Sequence, residues 1–137
     1  MTLVLDASLA LAWCFQDEAT PATEIVLDRV AETGAVVPAL WRLELANGLQ
    51  VAVRRGRINA AYRDRSLADF AQMQIETDQE TDAHAWSVTL RLADRHELTL
   101  YDAAYLELAQ RRRLPLATLD QSLRRAADRL ALTLLGL

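Results

Sequence analysis

"TLVLD" at residues 2–6 and "LATLD" at residues 116–120 are short apolar runs that each end on a carboxylate. Runs of this length without polar alternation read as strands buried on both faces, the form that parallel sheets take. A charge closing such a strand needs a purpose. Two uses stand open: Asp6 and Asp120 each cap the helix that follows, or both belong to one acidic site.

Outward from these two runs, strands alternate with helices. "ASLALAWCF" (7–15) reads as a helix, and "TPATEIVLDRVAET" (20–33) as a second, with Pro21 in its first turn and Gly34 as its stop. "AVVPAL" (35–40) is the next strand, and "LWRLELANGLQVAVRRG" (40–56) a strongly apolar helix. A polar helix runs over 59–73, and the acidic "QIETDQETD" (74–82) reads as a very short edge strand and a solvated loop. "AHAWSVTLRLADRHEL" (83–98) and "YDAAYLELAQRRR" (101–113) are long helices. "LPLATL" (114–119) is a strand opened by Pro115, a helix follows over 121–130, and "LALTLL" (130–135) is the final strand. This alternation predicts an α/β fold, a three-layer α/β/α sandwich with a mainly parallel sheet, in a single domain over residues 1–137. Sites in such sheets lie beyond the carboxyl ends of the strands, near the switch point of strand order. Asp6 and Asp120 both stand at a strand's carboxyl end.

Composition narrows the function classes. The 137 residues are 52% hydrophobic and 25% charged, a globular rather than disordered balance. The lone Cys14 lies in an apolar stretch, where it packs as a small hydrophobe, and this suits a reducing cytoplasm. Too little chain precedes the first strand for a secretory signal, and no apolar run reaches the roughly 20 residues of a membrane span, so a cytoplasmic protein is expected. Net charge is −4, yet all 15 basic residues are Arg, grouped at 54, 55 and 57, at 111–113, and at 124 and 125. Arg forks suit phosphate, so basic rims can flank an acidic centre; solvated helix ends are the alternative reading of each group.

Two more acids join the first pair. Asp102 follows Thr99 by three positions, the spacing of a capping box, and also falls near a strand end in this fold. Glu44 shares a helical face with Leu40, Asn47, Gly48 and Val51, so it interrupts a mostly apolar side and needs a partner. No Lys exists to supply one, which leaves an Arg reaching in from elsewhere or a cation. Two carboxylates about 4 Å apart repel by roughly 4 kcal/mol at an effective dielectric near 20, so a cluster of four stays ionised only around a cation or a shared proton. All-oxygen donors favour a hard ion, Mg²⁺ or Mn²⁺, over zinc.

"LVLDASLALAW", "VPALWRLELANGL", "LTLYDAAYLELA" and "PLATLDQSLRRAA" stand in this order over the whole chain. Together they resemble PIN domains, and more narrowly the VapC toxins of type II toxin–antitoxin pairs. The resemblance implies a Mg²⁺-dependent endoribonuclease. Asp6 and Asp102 would be its principal metal ligands, while Glu44 and Asp120 would complete the shell and orient the attacking water or a second ion. Ser8, Asn47 and Thr118 match polar positions beside the site. The implied reaction is in-line hydrolysis of an RNA phosphodiester, leaving 5′-phosphate and 3′-hydroxyl, with neither His84 nor His96 required. The resemblance further implies a homodimer and a cognate antitoxin whose peptide covers the acidic groove.

Other acid-at-strand-end families fail on the residues. A phosphoacceptor receiver needs a Lys, a haloacid dehalogenase needs an Asp where Ser8 stands, and nucleotide-binding loops need glycines that four scattered ones cannot build. The rival from a different class is a catalytically silent PIN-like module that binds RNA or protein through its groove.

Overall fold

The computed structural model describes residues 2–137. Five short strands, β1 (Val4–Leu5), β2 (Ala35–Val37), β3 (Ile75–Thr77), β4 (Leu116–Ala117) and β5 (Leu134–Leu135), form one sheet in the order β3-β2-β1-β4-β5. Every pairing is parallel; Val4 stands opposite both Val36 and Leu116, and Leu5 opposite Ala117. The sheet thus matches the predicted sandwich, with parallel pairing throughout.

Helices α1 (Ala7–Ala12) and α2 (Pro21–Thr33) lead from β1 to β2, and α3 (Trp41–Arg54) and α4 (Ala60–Ala71) from β2 to β3. Then α5 (Thr81–His84), a π-helical turn (Ala85–Thr89), α6 (Leu90–His96) and α7 (Leu100–Arg112) return the chain to β4, and α8 (Gln121–Arg129) joins β4 to β5. Steps from β1 to β3 move one way along the sheet and later steps move the other way. Right-handed crossovers therefore put α1–α4 on one face and α5–α8 on the opposite face. Strand order reverses between β1 and β4, and a crevice opens there at the carboxyl edge.

Local sequence explains the main elements. Thr20 and Thr23 form a reciprocal capping box ahead of α2 with Pro21 at the start, and Gly34 ends the helix at φ 76°. A Cβ on Gly34 would lie 2.8 Å from the Gln74 carbonyl oxygen, so both backbone angle and space demand glycine there. Gly48 lets α3 approach α1, because a Cβ at that position would meet Leu11 Cδ1 at 2.5 Å. Seven consecutive residues of α7, Ala103 to Ala109, are buried. Its alanines allow close packing on the sheet while Tyr105, Leu106 and Leu108 fill the core.

One of these seven is Glu107, and its burial is answered by ionic partners. Arg111 on the next turn donates to Glu107 at 2.6 Å and to Asp78, beyond β3, at 2.6 Å. Although burial opposes ionisation of Asp78, hydrogen bonds from Arg111 and Thr81 hold its carboxyl below the usual range. This clasp ties α7 to the far edge of the sheet. The expected single helix over 83–98 is broken by the π-helical turn, whose extra residue no local sequence signal marks.

Candidate active site

Asp6 leaves the end of β1 in extended backbone and stands at the N-cap position of α1, yet its side chain makes no capping bond. Its Oδ2 instead accepts from the Ser8 hydroxyl at 2.6 Å and from the Thr118 hydroxyl at 2.7 Å. The capping alternative for Asp6 is therefore excluded by where its carboxylate points. Buried to 4% exposure, it is held by two hydroxyls from opposite ends of the chain.

Thr118 and Ser8 act as a buckle across the switch point. The Asp120 backbone N–H donates to Thr118 Oγ1 at 3.0 Å, and the Leu119 N–H donates to Ser8 Oγ at 3.1 Å. Asp120 does cap α8, with Oδ1 accepting from the Leu123 N–H at 2.8 Å. Behind it, Arg124 donates to the carbonyls of Thr118 and Leu135, fixing the ends of β4 and β5.

Glu44 enters from the first turn of α3 and Asp102 from the first turn of α7, where the Asp102 N–H donates to Thr99 Oγ1 at 3.1 Å. The partner that Glu44 requires is neither Arg nor Lys. Tyr105, one turn beyond Asp102 and wholly buried, donates its hydroxyl to Glu44 Oε1 at 2.5 Å. A tyrosine amid continuous apolar sequence carried no signal of this role, because burial and aromatic packing already accounted for it.

The acids feel one another. Burial raises the Asp6 carboxyl above its ordinary range and the Asp120 charge adds to this, against the hydroxyls of Ser8 and Thr118. Glu44 is raised by burial and by the charges of Asp6 and Asp102, against its bond from Tyr105. Asp102 is pushed up to about 6, by burial first and then by the charges of Asp120 and Asp6. The structure thus brings Asp6, Glu44, Asp102 and Asp120 into one electrostatic neighbourhood at the carboxyl edge of the sheet.

Several expected features fall elsewhere. Asn47 is exposed, and its side chain makes no hydrogen bond among the described residues. Three arginines of these groups are spent on structure: Arg57 pairs with Asp17 and Glu18, Arg111 with Glu107 and Asp78, and Arg112 with Glu76. His84 lies 3.9 Å from the carboxylates of Glu80 and Glu107, away from the four acids. Free Cys14 is buried, and burial lifts its thiol to about 11, as a packing residue requires. No helix among the described residues is long and apolar enough to cross a membrane.

Three raised, mutually repelling carboxyls without a basic partner form a donor set suited to a hard cation. As they stand, no group of three or more His, Cys, Asp or Glu side chains among the described residues is arranged to hold an ion outright. A groove of about 370 Å³ leaves the site from Ser8 and Asp120, floored by Leu11, Gly48 and Val51 and reaching Arg55 and Arg57.

Comparison with known proteins bears on the family and the fold. The PIN domain family profile matches residues 3–129. The chain is 30% identical over 127 residues to Ribonuclease VapC3 of Pyrobaculum aerophilum, covering 90% of this chain and 92% of that one. It is 34% identical over 100 residues to Ribonuclease VapC3 of Mycobacterium tuberculosis, covering 72% and 69%. The crystal structure of PAE2754 from Pyrobaculum aerophilum superposes with a TM-score of 0.68 at 25% identity, covering 92% of this chain and 79% of that one.

Proposed function

The chain belongs to the PIN domain family, and from that premise we propose that it is a Mg²⁺-dependent endoribonuclease, the toxin of a type II toxin–antitoxin pair. The observation that carries this reading is the meeting of Asp6, Glu44, Asp102 and Asp120, three of them raised by burial and mutual charge. Asp6 and Asp102 are the principal ligands in this reading, with Glu44 and Asp120 completing the shell; Mn²⁺ is the alternative ion. Mg²⁺ ordinarily keeps several waters, so side chains that do not close on an ion directly are consistent with it. When bound, the cation neutralises phosphate charge and makes a water more acidic.

The chain's own residues supply orientation. Ser8 and Thr118 fix the Asp6 carboxylate, and Tyr105 fixes Glu44. Glu44 and Asp120 then direct an attacking water in line with the scissile phosphodiester, leaving 5′-phosphate and 3′-hydroxyl. The 2′-hydroxyl need not act as nucleophile, and neither His84 nor His96 is required. Ribonuclease names among the relatives support the substrate class.

In this reading the protein acts in the cytoplasm as one PIN-like unit and a homodimer. The apolar-floored groove from Ser8 to Arg57 suits the peptide of a cognate antitoxin, whose acidic or basic ends would meet Arg55 or Asp120.

The deciding experiment incubates wild type, Asp6→Asn and Asp102→Asn with total cellular RNA, with and without Mg²⁺ or Mn²⁺. Cleavage by wild type alone, and only with the ion, is expected. Wild type that leaves RNA intact under every divalent ion tried points to the silent binding module.

A further inference from the structure

The C-terminal end of α6 and the exposed face of α8 line a pocket of about 260 Å³. Arg95 comes from α6, and Arg125 and Arg129 from α8; none of the three forms an ion pair among the described residues. Ser122 lines the pocket and accepts from Arg125 at 3.3 Å. His96 contributes a ring whose two nitrogens are buried without a partner. The one acid in the lining is Glu97, held in left-handed backbone at φ 55° at the end of α6.

Three arginines converging on one concavity repel one another, and this chain pairs or hydrogen-bonds several of its other arginines. Such a cluster is complete with an anion, and guanidinium forks match the tetrahedral oxygens of phosphate. Its position sets which phosphate. Glu97 precedes Asp102 by five residues, and Ser122 follows Asp120 by two, so both segments that line the pocket lead within a few residues to two of the four acids.

We infer that Arg95, Arg125 and Arg129 form a phosphate subsite that holds the RNA backbone beside the scissile linkage. The inference rests on the ribonuclease reading. An acidic peptide offers carboxylates to the same forks, but the short chain distance to the acids that would cut the strand favours the nucleic acid.

The test measures binding of a labelled oligouridylate of about twelve residues, a typical single-strand site size, to the full chain in EDTA, as a function of salt. Arg125→Gln/Arg129→Gln is compared with Arg65→Gln/Arg113→Gln, which removes equal charge elsewhere. The pocket variant should bind roughly tenfold more weakly and lose about 0.7 in salt slope per phosphate contact removed, while the control stays near wild type. In Mg²⁺ its KM should rise with kcat kept. Equal losses in both variants, or unchanged binding in the pocket variant while wild type binds RNA, overturn the subsite alone. So does a polyglutamate peptide that needs these arginines when RNA does not. Wild type that neither binds nor cuts RNA instead overturns the function on which the subsite rests.

Discussion

Tyr105 and Glu44, 61 positions apart in sequence, meet through a 2.5 Å hydrogen bond that joins helices from the two faces of the sheet. It gives a half-buried carboxylate its one side-chain donor where no Lys or Arg is in reach. Tyr105→Phe keeps the ring and deletes the donor. The Glu44 carboxyl should then rise further, since the bond that lowers it has gone. Stability at pH 7 should fall by about 1.5 kcal/mol, the usual worth of a hydrogen bond to a charged group. Urea melts check the second effect and carboxyl NMR titration the first.

Asp102 gives a pH dependence of definite sign. Its folded-state pKa is raised to about 6 from an ordinary 3.8, so the native state binds more protons between these values. Stability from this group is therefore present at low pH and lost as pH rises through the window. Asp102→Asn should stabilise the ion-free protein at pH 7, by about 1 kcal/mol after allowance for solvent screening, and the gain should vanish near pH 4. Denaturant midpoints across that range measure it.

Asp6 and Asp120 should separate on substitution, because one caps a helix and the other does not. Asp120→Ala removes the acceptor for the Leu123 N–H and should cost about 1 kcal/mol, largely restored in Asp120→Asn. Asp6→Asn has no cap to lose. Both Asn variants should abolish thermal stabilisation by Mg²⁺, which wild type should show in proportion to ion concentration. Differential scanning fluorimetry with and without the ion reads both effects.

Thr118 is fully buried and serves Asp6 and the Asp120 N–H at once. Thr118→Val preserves shape but leaves the buried Asp6 carboxylate with Ser8 as its one hydroxyl donor and takes the acceptor from the Asp120 N–H. A loss of about 2 kcal/mol follows, larger than for Thr118→Ser, which keeps the hydroxyl. Chemical denaturation of the two variants side by side decides it.

How much of this was legible depends on whether a residue's role was local. Asp6 and Asp120 announced themselves by closing apolar runs, and Glu44 by interrupting an apolar helical face. Pattern suffices there because strand and helix periods are properties of neighbouring residues. Tyr105 was hidden, since its hydroxyl partner lies on another element and its ring alone justified burial. Arg111 looked like part of a basic rim until the sheet brought Asp78 beside it. Asn47 shares a face with Glu44 on an ideal wheel, yet it lies a turn farther out and ends in solvent. The arginines of the α6–α8 pocket come from stretches 30 residues apart, so no run of sequence displays them together.

The hydroxyl of Thr118 reaches Asp6 across 112 positions, nearly the whole chain. Long-range contacts of this kind are slow to form, because a long loop must close first. A polypeptide still being synthesised holds Asp6, Glu44 and Asp102 before it holds the strand that orients the first of them. A fragment ending before residue 116 carries three of the four acids without the Thr118 buckle or the fourth corner. The candidate site is in this sense a record of synthesis: its first carboxylate is oriented only after the segment carrying Thr118 has been made and has packed against β1.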